Sequence, residues 1–325
     1  MIPFLVGAIA LATVFLFGCV GEIITEKAGH LNLGIPGIMC VGTAGGCYAV
    51  SFYMASLSNP NNASWLLLIF LSILFAVLFA AALGGIYALL TVTLRCNQNI
   101  TGLSITIFGN GFAQFFMDTC VLTSDADRAN FEIAGKIISR SLPFADSLGG
   151  FGKIFLSHGI LVYLAIAISL LAAWFLKKTR AGLHLRSIGE SPATADAAGI
   201  NVTAYKYGAI LVGSGIAGLG GFFYIMDYIK GSWENAATIE ALGWLSVALV
   251  IFTLWKPNLS ILGSFIFAAL YIVAYYTNVN FTQKELLKLI PYIMTVLVLI
   301  FTSIKGSKNN QAPASLGLSY FREER

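Results

Sequence analysis

Long apolar runs, most of them about as long as a lipid bilayer is thick, dominate this chain of 325 residues. Hydrophobic residues make up 58% of the sequence and charged residues only 10%. A transmembrane helix needs about 20 apolar residues, because a charge at its centre costs about 2.5–3.5 kcal/mol. Nine runs fit this description: Ile2–Cys19, Ile35–Leu57, Trp65–Leu94, Gln98–Met117, His158–Leu176, Tyr207–Met226, Ala241–Trp255, Leu259–Thr277 and Leu289–Ile304. The sequence predicts an all-α polytopic membrane protein with about nine transmembrane helices in a membrane domain of residues 1–304.

The distribution of lysine and arginine predicts the orientation of the chain. Short loops rich in these residues stay in the cytoplasm. With nine spans, the cationic connections fall on one side, and they contain Arg95, Lys177, Lys178, Arg180, Arg186, Lys206, Lys256, Lys305, Lys308, Arg322 and Arg325. We therefore expect an extracytoplasmic N-terminus and a cytoplasmic C-terminus. The net charge of +4 reflects this topology and gives no support for nucleic-acid binding.

Three segments have a composition that predicts their role. Met1–Phe4 lacks the cationic residues of a secretory signal, so the first span is expected to be retained, although Leu16–Cys19 resembles a lipoprotein cleavage site. Residues 118–157 are expected to form an extracytoplasmic loop with interfacial helices that turn apolar side chains toward lipid. Those side chains are Phe131, Ile133, Ile137, Ile138 and Leu142. Residues 305–325, polar and containing Asn309 and Asn310, are expected to be a disordered cytoplasmic tail.

Residues that could perform catalysis or bind a metal do not cluster in the sequence. The three histidines are scattered, and neither a metal-ligand pair nor a phosphate-binding loop occurs. We expect no catalytic residues, no metal and no cofactor, and therefore no enzyme. Ion-coupled carriers keep ionisable groups inside their spans, whereas the carboxylates here are expected at span ends. They are Glu22, Glu26, Asp118, Asp227 and Glu240.

A polar loop, residues 177–206, interrupts the apolar runs. Ser191 can cap a helix that has Pro192 in its first turn and Gly199 just after its end. The pattern predicts a helix Pro192–Ala198 of about two turns, with alanines on one smooth face. A helix this short is marginal in water. It must either dock on a partner or pack on its own protein, and this pattern alone leaves both possibilities open.

A short motif recurs on two spans that are expected to run in opposite directions. It reads ALGGIY at residues 82–87 and GLGGFFY at residues 218–224. Many transporters are built from inverted repeats that hold the substrate between them. The two copies indicate either such a repeat or a chance recurrence of paired glycines, which also occur wherever helices pack closely.

Several motifs resemble those of one transporter family. They are Gly182-x-x-x-Arg186-x-x-Gly189-Glu190-x-Pro192 with Ala197-Ala198-Gly199-Ile200, then Glu22-x-x-x-Glu26-x-x-Gly29-x-Leu31-Asn32-Leu33-Gly34-Ile35, Asn97-Gln98-x-Ile100-x-Gly102-Leu103, Leu142-Pro143, Gly243-Trp244 and Trp255-x-Pro257. From about Gly21 to Ile304 the chain resembles ABC importer permeases of the branched-chain amino acid, ribose and nucleoside type. It is most similar to the nucleoside branch, which works with a basic membrane lipoprotein. One departure is Pro36, which stands where relatives often carry a glutamate that could touch solute.

The resemblance implies that the polar loop couples the permease to a cytoplasmic ATPase dimer. The implied coupling residues are Arg186, Gly189, Glu190, Pro192, Ala197, Ala198 and Gly199. It further implies a second permease subunit and an extracytoplasmic substrate-binding lipoprotein, with membrane lipid around the spans. Nucleosides are the expected cargo, and ribose, another simple sugar or a branched-chain amino acid is the alternative. A stand-alone secondary carrier and a passive channel or structural subunit remain as other classes.

Polar residues at expected helix breaks are candidates for the substrate path. They are Asn32, Asn97, Asn110, Gln114 and Trp244. Amide side chains can hydrogen-bond sugar hydroxyls and base edges, and an indole ring can stack on a base. The alternative for each is an interhelical hydrogen bond or an anchor at the membrane interface.

Overall fold

Helices account for the regular structure of the computed structural model, which describes residues 2–141, 149–277, 280–287, 289–305 and 311–321. Leu142 and Pro143 lie outside these residues. The helices are α1 Ile2–Glu26, α2 Ile35–Ala55, α3 Trp65–Ala88, α4 Gln98–Phe116, α5 Asp125–Ile138, α6 Gly149–Phe155, α7 Ile160–Lys178, α8 Arg180–Glu190, α9 Pro192–Ala197, α10 Val202–Phe223, α11 Ala236–Phe252, α12 Pro257–Tyr276, α13 Phe281–Leu287 and α14 Ile290–Lys305. A π-helical turn extends α3, α4 and α10 to Thr93, Val121 and Tyr228.

The predicted apolar runs all become helices. Seven of these helices, α1, α2, α3, α4, α7, α10 and α12, are long and apolar enough to cross a membrane. The other two, α11 and the Ile290–Phe301 part of α14, are apolar but shorter. The prediction of an all-α polytopic membrane protein is therefore confirmed. Seven of the nine runs form helices long enough to cross a membrane, and the other two form shorter helices.

Successive apolar helices run back and forth between two ends of the bundle. At one end, Phe4 of α1 packs edge-to-face against Tyr276 of α12, with ring centroids 5.3 Å apart. At the other end, the chain after α1 lies against Gly189 of the polar loop. We call the second the loop end and the first the far end.

Small residues let α10 pack tightly against α1 and α2 at the centre of the bundle. A methyl group on Gly213 would overlap the carbonyl oxygen of Gly21, and one on Gly42 would overlap the backbone of Gly218. Backbones can approach this closely only where side chains are absent. The central helices are accordingly well covered, with 83% of the α2 span buried against 28% of the α3 span.

The two copies of the recurring glycine motif lie on α3 and α10, which run antiparallel and contact each other. A methyl group on Gly84 would overlap the side chain of Ser214. The glycines therefore have a packing role on both helices. The inverted repeat remains a prediction.

The helix expected in residues 118–157 exists as α5. The prediction that its apolar face turns toward lipid is wrong for Phe131 and Ile138. Phe131 and Ile138 are 1% and 0% exposed, and they join the main hydrophobic core. A methyl group on Gly135 would overlap the backbone of Lys230. The sequence shows that α5 is amphipathic, but it does not show that α2, α3 and the end of α10 offer a protein surface for it.

The prediction of a disordered tail is wrong for residues 311–321, which lie along the polar loop. Ser315 donates its main-chain N–H to the carbonyl of Gly189 at 2.9 Å, and Tyr320 donates its hydroxyl to Asp196 at 2.8 Å. Pro313 and Ser315 are buried there. The polar composition of the tail did not predict this contact, because few apolar side chains are needed to hold a short segment in a preformed groove. Asn309 and Asn310 lie outside the described residues.

A bulky substitution in the α1–α10 contact should destabilise the bundle. Gly213→Leu is expected to cost about 1–3 kcal/mol or more, because the added side chain must displace the Gly21 backbone. Gly208→Leu, on the same helix but in open space, is the matched control. Thermal unfolding of the purified protein in detergent measures the difference, and equal unfolding temperatures for the two variants would contradict this packing.

Candidate functional site: a broken helix beside a polar cleft

Between α1 and α2 the chain leaves helical geometry inside the bundle, over residues 27–34. Its polar backbone groups are satisfied by side chains from other helices. Leu31 donates its N–H to Gln98 at 2.9 Å, Tyr87 donates its hydroxyl to the Leu31 carbonyl at 2.7 Å, and Thr106 donates to the Leu33 carbonyl at 2.8 Å. Irregular backbone cannot face lipid, so in a membrane protein it is tolerated where it is buried in protein or lines a cavity. This segment, which we call the break, meets the first condition.

Two carboxyl groups lie in the last turns of α1, just before the break. Glu22 accepts the main-chain N–H of Asn32 at 2.9 Å, and Glu26 accepts the indole N–H of Trp255. These carboxyls are 0% and 3% exposed. They lie at the end of α1, as expected, but the protein encloses the last turns of this helix. The second oxygen of Glu22 and the side-chain NH₂ of Asn32 have no partner among the described residues.

A second polar cluster connects α4 to α11. Asn110 donates its amide to Glu240, and the indole N–H of Trp244 points to the same carboxylate at 3.4 Å. One turn further along α4, Gln114 accepts the first N–H of α11 at 2.8 Å and donates to Asp118 at 2.6 Å. We call this the polar cleft. Its side chains are half-buried or exposed, so they remain accessible to a solute.

The structure brings together three of the five predicted path residues, Asn110, Gln114 and Trp244. Asn32 lies in the break, and Asn97 is an exposed cap of α4 that accepts the main-chain N–H groups of two following residues. Glu240 is not among the residues that the sequence predicts for the substrate path. Its position four residues before Trp244 on a helix indicates that the two side chains share a face.

Pro36 begins α2, as expected for a proline in the first turn of a helix. It packs so closely on α11 that a methyl group on Gly243 would overlap its Cα atom. This position of the chain therefore forms a packing contact between α2 and α11.

One face of α4 is uncovered by the chain. Of the seven long apolar helices α4 has the lowest hydropathy, yet only 39% of its span is buried. Its exposed residues mix apolar and polar types, and they are Ile100, Leu103, Ser104, Ile107, Phe108, Gly111, Phe115 and Asp118. Most of these side chains are apolar, and Ser104 and Asp118 add polar groups that cost less against protein or water than against lipid.

The short helix predicted in the polar loop is present as α9. Ser191 accepts the N–H of Thr194, Pro192 lies in the first turn, and Gly199 follows the helix with a φ of +81°. Ala195 packs inward on Ile188 and Val202. The outer face carries Ala193, Ala197 and Ala198, which are exposed.

Some of the predicted coupling residues are exposed at the surface of the polar loop, and one is buried beneath it. Arg186 and Glu190 are exposed beside the outer face of α9. Gly189 is buried, and a methyl group there would overlap the carbonyl of Lys27, the first residue of the break. Burial lowers the pKa of the Lys27 ammonium, an effect that the nearby Glu190 carboxylate opposes. Gly189 therefore joins the polar loop to the break.

His30, also in the break, is 1% exposed. Burial, and then the charge of Lys206, lowers its pKa to about 3. The imidazole is therefore neutral in the folded protein at neutral pH. Among the described residues no group of three or more His, Cys, Asp or Glu side chains could hold a metal ion.

These features define a class: a polytopic helical membrane protein with a broken helix beside a polar cleft and an exposed short helix at one end. Residues 4–299 match the model of a family described as the branched-chain amino acid transport system / permease component. The chain belongs to this family of permeases.

Similar proteins extend over nearly the whole chain. The nucleoside ABC transporter permease protein NupC of Lactococcus lactis is 29% identical over 96% of this chain and 95% of its own length. The guanosine ABC transporter permease protein NupQ of Bacillus subtilis is 26% identical over 94% and 92%. A Haloferax volcanii protein provisionally assigned as a glucose ABC transporter permease is 29% identical over 96% and 95%.

A solved structure shares the fold. It is an inward-facing conformation of a transporter provisionally assigned to the metal-chelate ABC type, with a TM-score of 0.50 and 14% sequence identity. The match covers 92% of this chain and 85% of the other. The similarity supports an ABC-permease fold for the bundle described above.

The buried neutral histidine predicts acid sensitivity. Its pKa falls from an ordinary 6.5 to about 3 on folding, so the unfolded chain binds more protons between these pH values. The stability contributed by His30 is therefore lost as the pH falls below 6.5, by about 2 kcal/mol at pH 5. His30→Gln should lose less stability than the native chain between pH 7.5 and 5, as measured by unfolding in detergent. Identical pH dependence in the two proteins would contradict the prediction.

Proposed function

We propose that this chain is the permease subunit of a bacterial ATP-driven importer whose cargo is a nucleoside. The observation that carries the proposal is the similarity, over more than nine-tenths of the chain, to permeases named for nucleosides and for guanosine. The orientation follows from the cationic loop end, which would face the cytoplasm, with the N-terminus outside.

The chemistry of the polar cleft supports an uncharged, hydrogen-bonding cargo with an aromatic face. Asn110 and Gln114 offer amide donors and acceptors, and Trp244 offers an indole ring on which a base can stack. Each amide also serves an interhelical contact, with Glu240 and with the start of α11. A passing nucleoside would exchange hydrogen bonds with these groups, which suits a path that must release its solute.

The relative from Haloferax supports a sugar as the second candidate cargo. A sugar would use the same amide groups but would gain little from stacking on Trp244. Comparison of guanosine with ribose therefore separates the two cargoes.

The outer face of α9 is the surface that we assign to the ATPase. Ala193, Ala197 and Ala198 are small, so a partner groove can approach the helix backbone closely. Arg186 and Glu190 beside them would form the polar rim of the contact. The chain's own sequence carries no phosphate-binding loop, so the ATP would be bound by that partner.

The uncovered face of α4 is the surface that we assign to a second permease subunit. Ser104, Gly111 and Asp118 would meet protein or the water-filled path, where their polarity costs little. An extracytoplasmic binding lipoprotein would deliver solute to the far end, near Asp118 and Glu240.

A stand-alone secondary carrier remains the competing class, and the buried pair Glu22 and Glu26 favours it. Such a carrier would use carboxyls inside the membrane to bind a coupling ion. Both side chains, however, already accept hydrogen bonds within the protein, Glu22 from Asn32 of the break and Glu26 from the indole of Trp255.

Uptake of labelled guanosine and ribose tests the proposal. The cells should express this chain with its partner ATPase, second permease and binding protein, and matched cells should carry a catalytically inactive ATPase. Guanosine uptake that disappears with the inactive ATPase is the expected result. Ribose uptake would change the cargo, and uptake that persists with the inactive ATPase but is abolished by an uncoupler would favour the secondary carrier.

A bulky residue on the outer face of α9 should interrupt coupling without unfolding the permease. Ala197→Trp places a large ring in the contact with the ATPase, and a steric cost of roughly 1–3 kcal/mol there reduces uptake by about tenfold or more. Lys178→Trp, also exposed in the polar loop, is the control. Amounts of permease in the membrane should be equal for both variants, and normal uptake by Ala197→Trp would exclude α9 as the coupling helix.

Loss of an amide from the polar cleft should slow transport. Asn110→Ala removes a hydrogen-bonding group worth about 1–1.5 kcal/mol, so guanosine uptake at low concentration should fall about fivefold to tenfold. Asn99→Ala removes an exposed amide from the same helix outside the polar cleft, and it is the matched control. Equal uptake by the two variants would remove Asn110 from the path.

A further inference from the structure

A polar cavity of about 410 Å³ lies at the loop end, apart from the polar cleft and from the outer face of α9. The end of α3, the break, the beginning of α10 and the tail enclose it. Its lining side chains include His30, Arg95, Thr203, Lys206 and Tyr320. The proposed coupling surface touches it only at Gly199.

Two cations line this cavity from different parts of the chain. Lys206 of α10 is 2% exposed, and it forms no hydrogen bond or ion pair with the residues that the structure describes. Arg95, after α3, reaches the cavity from the other side and lies over the ring of Phe321 at 4.8 Å. The described lining residues include one carboxylate, Asp196, which is engaged by the hydroxyl of Tyr320. An ammonium group held in this cavity without an anion among the described residues is costly, so this arrangement favours an anionic ligand.

Two uncharged features also face the cavity, the imidazole of His30 and the first turn of α10. The Nε2 atom of His30 is buried and has no hydrogen-bond partner among the described residues. Burial keeps this imidazole neutral by lowering its pKa. Val202 and Thr203 form the first turn of α10, a 22-residue helix whose N-terminus favours negative charge. The Nδ1 atom of His30 lies 3.4 Å from the Gly29 carbonyl, which can only accept, so Nε2 of the neutral ring is an acceptor and pairs with a hydroxyl of a ligand or with water. The N-terminus of α10 is the feature that favours the oxygens of an anion.

We propose that this cavity binds a phosphate group, held by Lys206 and Arg95 and by the N-terminus of α10. Phosphate has the charge and the number of acceptor oxygens that these donors require. The cavity lies where the α3 and α10 spans end, so the phosphate can come from an anionic phospholipid headgroup or from a soluble phosphate compound. A bound phosphate would brace the tail and the segment after α9 against the bundle.

Ligand binding to the purified full-length protein tests the proposal. Thermal unfolding in detergent is followed with increasing inorganic phosphate, with chloride at equal ionic strength as reference. Native mass spectrometry follows the retention of dioleoyl phosphatidylglycerol, with dioleoyl phosphatidylcholine as the uncharged reference. Lys206→Met keeps the length and burial of the side chain and removes its charge. Lys178→Met removes a charge from the same loop outside the cavity.

We expect phosphate or phosphatidylglycerol to bind the native protein and Lys178→Met equally, and to bind Lys206→Met about tenfold more weakly or worse. Stabilisation by inorganic phosphate alone identifies a soluble ligand, and retention of phosphatidylglycerol alone identifies a lipid. Arg95→Asn, an exposed substitution that tolerates the local φ of +56°, provides the same test if Lys206→Met does not fold. Binding of neither ligand, or equal binding by the Lys206 and Lys178 variants, would overturn the proposal.

Discussion

The need to satisfy every polar group of a non-helical backbone inside the bundle governs this structure. The break could not persist against lipid, because each unpaired N–H or carbonyl would cost several kcal/mol. Gln98, Tyr87, Thr106 and Glu22 supply the missing partners from three different helices. These contacts determine where α2 begins, and the start of α2 determines how Pro36 meets α11 beside the polar cleft.

The break also connects the two regions to which we assign function. At its beginning, the carbonyl of Lys27 lies against Gly189 of the polar loop. At its end, Thr106 holds Leu33 on α4, one turn before Asn110 of the polar cleft. A push on α9 therefore has a short, packed route to the cleft. In this account the ATPase acts on the cleft by moving the break, and the tail, through Ser315, keeps Gly189 in place.

Local signals in the sequence predicted local structure well. The nine apolar runs correspond to helices, and the cap Ser191, Pro192 and Gly199 define α9 because capping depends on neighbours within a few residues. Long-range packing was not predictable in the same way. The enclosure of Glu22 and Glu26, the burial of Phe131 and the docking of the tail each depend on surfaces contributed by distant parts of the chain. For the path, the residue types indicated Asn110, Gln114 and Trp244, but the pairing with Glu240 required the position of α11 relative to α4.

The amount of cargo moved per ATP most directly tests the proposed link between the polar loop and the cleft. Gly189→Ala introduces a methyl group against the Lys27 carbonyl, and Ser187→Ala in the same loop is the control. Both variants are measured in the complete complex, reconstituted in proteoliposomes. We expect the Gly189→Ala complex to hydrolyse ATP but to import far less guanosine for each ATP. The ratio of guanosine imported to ATP hydrolysed should be unchanged for Ser187→Ala. An unchanged ratio for Gly189→Ala, in a correctly assembled complex, would contradict the proposed link.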